Sequence, residues 1–292
     1  YAGCCSAHIV VGNGSTELIS LAIRVLQPRK ALLPEPTYSE YEREISLAGG
    51  RMERCRIRSE AGFHLDAGEL KDRLSSEYDL LILCNPNNPT SQAVSGKDMQ
   101  ALLQACREAD IFVMVDETYV EFASEDVTAV PLTEEYDNLL VLRGTSKFFS
   151  APGLRLGYAI TGNGPLLDGM RALQNPWTIS SLAEMAGRLM FRDRDYIRKT
   201  RELISGERTR VCGILRTWES VEIYEPQANF VLAHIRKEGV TASDLIDYCI
   251  RRGLMIRNCA TFDYLDESYF RFCFRMPEEN DRLLKILKEA GL

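Results

Sequence analysis

The chain has 292 residues, 45% of them hydrophobic and 26% charged, with 35 basic against 42 acidic side chains and a net charge of −7. That size suits one large and one smaller globular domain, and the acidic surplus argues against a nucleic-acid or anionic-membrane partner, either of which needs a basic face. No apolar run approaches the roughly 20 residues needed to span a bilayer; nine scattered cysteines without a C-x-x-C pair, beside only three histidines, argue against a zinc site or a disulfide framework and for a reducing cytoplasm.

The first residues, "YAGCCSAHIVVGNG", lack the basic start and long apolar stretch of a secretory leader. "VVGNGSTEL" then reads as a glycine-rich turn opening a helix, where the amides of Gly14, Ser15 and Thr16 can face an anion. "KALLP" is a short strand. "PTYSEYEREISLAGG" reads as a helix opened by a Thr37–Glu40 capping box and closed at Gly49-Gly50. "RMERCRI" is the next strand and "DAGELKDRLSSE" the next helix. "DLLILCN", "IFVMVDE" and "NLLVLRG" are short, nearly continuous apolar runs, the pattern of parallel strands covered on both faces, and "SGKDMQALLQACREAD" has apolar residues at helical spacing.

Beyond Gly164 a long charged helical stretch (181–218) leads to "VEIYEPQANFVLAHI", the helix "ASDLIDYCIRRG", strands near "LMIRN" and "YFRFCFRM", and a closing helix from Glu278. The expected class is α/β, with a mostly parallel central sheet flanked by helices. Residues 1–204 form the large domain, and residues 205–292 a smaller α+β domain.

In an open α/β sheet, ligands sit beyond the carboxyl ends of the strands. Here those ends carry "GNGSTE", "PTYSEY", "NPNNPT", "DETY" and "GTSK", with Arg155 eight positions after Lys147. Taken singly, each has an ordinary explanation: a capped helix at Gly12–Thr16, a turn former in Asn88, a helix cap in Asp116, a solvated strand end in Lys147. A dinucleotide fingerprint is disfavoured, because the third glycine is missing and Glu35, at the right distance, is held between two prolines. Asp116, ending a strongly apolar strand, is costly unless it meets a cation.

The motifs "NPNNPT", "DETY" and "SKFFSAPGLRLGY", in this order and spacing, resemble those of the pyridoxal-phosphate enzymes of the class I/II aminotransferase family, fold type I. The resemblance covers nearly the whole chain and is strongest to histidinol-phosphate aminotransferases and threonine-phosphate decarboxylases. It implies that Lys147 holds the cofactor as a Schiff base and then moves the substrate's Cα proton, a task that needs a lysine with a depressed pKa. It implies that Asp116 pairs with the pyridine nitrogen, that Tyr119 and Asn88 hydrogen-bond the ring's phenolic oxygen, and that Tyr38 stacks on the ring. Gly14, Ser15, Thr16, Ser146 and Arg155 are implied around the phosphate. Arg271 is implied at the substrate's α-carboxylate, with Asn229 and Trp177 close by.

Three positions depart from the family pattern. Gly144 stands where relatives often carry a hydroxyl, leaving Thr145 as a substitute donor, and Ser91 stands where glycine is usual. Only eleven residues precede Gly12, where relatives carry several dozen, so a segment that helps enclose the site is expected to be missing from this chain. The resemblance implies a homodimer and small-molecule amino-acid and 2-oxo-acid substrates. The expected reaction is transamination, with decarboxylation of the threonine-phosphate type as the alternative, since the geometry that selects the broken bond is not written in the motifs. Arg257 and Arg275 are candidates for extra charge toward a phosphorylated substrate. A non-catalytic binding module on the same fold is the alternative from another class.

Overall fold

The computed structural model describes residues 1–292. Seven strands form the main sheet: β1 (Ile9–Asn13), β2 (Lys30–Glu35), β3 (Arg51–Arg56), β4 (Leu80–Cys84), β5 (Phe112–Asp116), β6 (Leu139–Gly144) and β7 (Leu156–Ile160), in the order β1-β7-β6-β5-β4-β2-β3. β7 is antiparallel to both its neighbours, and the other pairings are parallel. The carboxyl ends of β1, β2, β4, β5 and β6 therefore share one edge. β7 starts at that edge, since Leu156 lies opposite Asn13 and Gly157 opposite Gly144.

Alternate residues of the apolar strands bury on opposite faces, as strand geometry requires. Leu81, Leu83, Val113, Val115, Leu139 and Val141 pack on the side of α3 (Ala67–Arg73) and α4 (Gly96–Glu108). Leu80, Ile82, Met114, Leu140 and Leu142 pack on the side of α1 (Gly14–Leu26), α2 (Glu40–Leu47) and α5 (Gly164–Leu173). Two covered faces explain why these strands read as unbroken apolar runs.

The long charged stretch is two helices rather than one. α6 (Ser181–Met190) ends at Phe191, and α7 (Arg194–Leu215) starts afresh with the Asp193 carboxylate accepting from the Tyr196 amide at 2.9 Å. That local cap competes successfully with continuation. α7 carries the chain to a second, antiparallel sheet of β8 (Val221–Ile223), β9 (Phe230–Ile235), β10 (Arg257–Asn258) and β11 (Tyr269–Cys273), in the order β10-β11-β9-β8, with α8 (Ala242–Ile250) and α9 (Pro277–Glu289). The residue 204/205 boundary expected between domains falls inside α7.

The Thr37–Glu40 capping box does not form. α2 begins at Glu40, the Thr37 hydroxyl donates to Asn87 Oδ1 at 2.9 Å, and the Thr37 amide donates to Glu35. The turn thereby ties the end of β2 to the 85–92 loop. Ser91 sits at φ 62°, the left-handed region in which glycine is the easy residue. Its hydroxyl accepts from the Ala228 amide at 2.9 Å, and its carbonyl accepts from the Gln227 amide at 2.7 Å, so the serine links this loop to the approach to β9.

Candidate active site

The carboxyl edge of the main sheet opens into a cavity of about 500 Å³. Its wall includes Gly14, Ser15 and Thr16 from the start of α1, Tyr38 from the turn after β2, Asn88, Asp116 and Tyr119, Ser146 and Lys147 beyond β6, Arg155 before β7, and Arg271 from β11. The structure thus brings these eleven expected residues together. Asn229 precedes β9 outside this wall, its Oδ1 buried without a partner. Trp177 is not part of this wall and is 88% exposed. Arg275 pairs with Glu279 at 3.0 Å, whereas Arg257 does reach the cavity.

The corner where the start of α1 meets β7 and Arg155 is built by close backbone approach. Gly14 has φ +78°, and a Cβ there would lie 2.4 Å from Arg155 Nη2. A Cβ on Gly157 would meet the carbonyl carbon of Gly14 at 2.6 Å and the Ser15 nitrogen at 2.7 Å. Only glycine at both positions lets β7 press the α1 terminus against Arg155. Arg155 itself holds a left-handed conformation at φ 53°, ψ 51°, and donates to the Pro152 carbonyl at 3.0 Å. Strained backbone of this kind concentrates at functional sites. The start of α1 adds free amides and the positive end of its dipole. Thr145 supplies no substitute donor here, because its buried hydroxyl donates to the Leu156 carbonyl at 3.1 Å.

Asp116 is buried and has no cationic partner. Its Oδ2 accepts from the Tyr41 hydroxyl at 2.8 Å; its Oδ1 accepts from the Thr118 amide at 2.9 Å and from the Thr118 hydroxyl. Three neutral donors hold and aim a carboxylate whose counter-charge must come from elsewhere. Neither Tyr41 nor Thr118 emerged from sequence reading. The available signals were Tyr41's position three residues after Tyr38 and Thr118's place inside "DETY".

Lys147 also lines the cavity, with Nζ 5.7 Å from the Tyr119 ring centroid. Its pKa is lowered, first by partial burial and then by the positive charge of Arg271, with Arg155 adding to both. Burial pushes the Tyr119 hydroxyl the other way, above the usual phenol range, so it stays a hydrogen-bond donor. Arg271 donates to the Asn88 side-chain oxygen and lies 4.7 Å over the Phe230 ring. Arg257 donates to the Thr261 hydroxyl at 2.9 Å. Arg155, Arg257 and Arg271 thus all face one cavity, and none makes an ion pair with a carboxylate. Thr261 and Phe262, which complete the wall, come from the loop before β11 and were not expected.

The aminotransferase class I and II family matches residues 5–287. The chain is 31% identical over 285 residues to a threonine-phosphate decarboxylase of Salmonella typhimurium, covering 98% of this chain and 77% of that protein. It is 32% identical over 286 residues to a histidinol-phosphate aminotransferase of Methanopyrus kandleri, covering 97% and 72%. The crystal structure of the histidinol-phosphate aminotransferase from Clostridium acetobutylicum superposes with a TM-score of 0.91 at 30% identity, covering 97% of this chain and 83% of that one.

Proposed function

The chain belongs to the class I and II aminotransferases, a family of pyridoxal-phosphate enzymes, and from that premise we propose that it transfers an amino group between a phosphorylated amino-acid-like donor and a 2-oxo acid. The observation that carries the reading is the convergence of Lys147, Asp116 and Arg155 on one cavity. The residues present fit the cofactor: a buried carboxylate without a cation suits a protonated ring nitrogen, and an unpaired guanidinium beside free helix amides suits a phosphate. When bound, the cofactor's conjugated ring supplies an electron sink for a bond broken at the substrate's α-carbon.

The chain's own residues supply the rest. Lys147, with its depressed pKa, holds the cofactor and then accepts and returns the Cα proton. Asp116, fixed by Tyr41 and Thr118, keeps the ring nitrogen protonated. Tyr119 and Asn88 donate to the ring's oxygen, and Tyr38 covers one ring face. Gly14, Ser15, Thr16, Ser146 and Arg155 surround the phosphate, while Arg271, steadied by Asn88, takes a carboxylate. Arg257 and Thr261 remain for a second anion, which supports a phosphorylated substrate.

The similarity to a threonine-phosphate decarboxylase supports a second reading, loss of the carboxylate from the same site. Incubating the enzyme and pyridoxal phosphate with O-phospho-L-threonine or L-histidinol phosphate, each with a 2-oxo acid, separates the two. Amination of the acceptor supports transamination, released carbon dioxide supports decarboxylation, and neither product from either compound would refute the proposal. We place the division between the two domains within α7. The nine free cysteines support a reducing cytoplasm. A homodimer is supported by Leu182, Met185 and Leu189, which expose one apolar face of α6.

A further inference from the structure

The loop Cys259–Ser268 has two kinds of residue. Its base is apolar and buried, with Cys259 and Leu265 packed against Ile57, Phe63 and Tyr269. At its tip, Thr261 and Phe262 face the catalytic cavity, and Thr261 accepts from Arg257. The next two residues turn the other way, to β3 of the main sheet. Arg54 Nε donates to Asp263 Oδ2 at 2.5 Å, and the Arg56 guanidinium lies 5.3 Å over the Tyr264 ring. The same Arg54 reaches Glu42 of α2 through Nη2, at 2.8 and 3.0 Å. α2 follows directly on Tyr38 and Ser39, which also line the cavity. One guanidinium therefore joins two segments that both carry wall residues of the site, while standing outside that wall itself.

We propose that Arg54 is a positioning residue, a clasp with Asp263 and Glu42 that sets the placement of Thr261, Phe262 and Arg257 for substrate capture. This rests on the proposed function in that the captured molecule is the phosphorylated substrate. All three members of the clasp are partly exposed, at 35% for Arg54, 46% for Asp263 and 42% for Glu42. The clasp is consequently weak and screened by salt. It acts on how often the wall is in place rather than on whether the protein folds.

The test uses the pyridoxal-phosphate-loaded enzyme carrying Arg54→Gln, Asp263→Asn or both, with O-phospho-L-threonine as the probe. Each single change is expected to raise KM by about threefold to fivefold with kcat little altered. The double variant should be no worse than the singles, because the second change removes a contact already lost. Added salt should raise the KM of the unaltered enzyme toward that of the variants. Hydrogen exchange of the Cys259–Ser268 amides, read without substrate, should quicken in Arg54→Gln. An unchanged exchange rate, or additive losses in the double variant, would overturn the clasp. If no phosphorylated compound is turned over, the functional reading fails while the exchange measurement still decides the clasp.

Discussion

Two clusters of charge lie behind the same sheet edge, and they are finished differently. Arg143 on β6 is buried and saturated: its Nε and Nη2 donate to Glu117 at 2.9 and 2.8 Å, and Nη2 also reaches Thr128 at 2.7 Å. Glu117 in turn accepts from Thr128 and from the Ala129 amide. Three residues further along the chain, the cavity begins, and there Arg155, Arg257 and Arg271 meet only neutral acceptors. A protein that can neutralise a buried guanidinium so completely has left three others open around one space. Closed charge clusters hold structure; open ones wait for an anion.

The largest effect should come from opening the closed cluster. Glu117→Leu strands Arg143 in the interior and should cost about 3–5 kcal/mol of unfolding free energy, read by denaturant titration. Arg155→Leu should leave the denaturation midpoint nearly unchanged while weakening pyridoxal phosphate binding by about a hundredfold, read by equilibrium dialysis. If both changes affected stability equally, the distinction between the clusters would fail.

Arg271→Gln sharpens the comparison through pH. The Lys147 amine is reactive only when neutral, so cofactor uptake should rise with pH around a midpoint below the ordinary lysine range. Removing the positive charge of Arg271 should move that midpoint upward, because one cause of the lowered pKa is gone. A midpoint that stayed put would leave the shift to burial and Arg155.

The smallest effect belongs to Glu121, which is buried near Arg143 and Glu117 with Oε2 unpartnered and its pKa pushed up to about 7 by burial. A carboxyl raised above its unfolded value of about 4.3 favours folding at low pH. That contribution is lost as pH rises through about 7. Glu121→Gln should therefore raise the melting temperature by a few degrees at pH 8 and leave it nearly unchanged at pH 4, by calorimetry.

Much of this was legible because the chemistry sits at strand ends. The apolar runs at 80–84, 112–116 and 139–144 announce buried parallel strands, and the polar residues that follow each run must then share an edge. What the sequence hid depends on separation or on local competition. Thr261 and Phe262 reach the cavity from a loop more than a hundred residues beyond Lys147, and nothing in their own neighbourhood marks them. Tyr41 reads as an ordinary helix residue until its hydroxyl is found on Asp116. Arg257 and Arg275 look equivalent in sequence, yet Glu279 takes one of them one helical turn away. The break between α6 and α7 turned on a single cap at Asp193, which helical periodicity on both sides concealed.

The proposed activity depends on a bond between Lys147 and the cofactor in the cavity shared with Asp116 and Arg155. That bond is tested most directly by adding pyridoxal phosphate to the purified protein, reducing with borohydride, and digesting. The unaltered chain should give a visible band that survives desalting and a peptide with the cofactor's added mass on Lys147, and Lys147→Ala should give neither. A protein that stays colourless, or a label spread over other lysines and retained in Lys147→Ala, would rule out that bond.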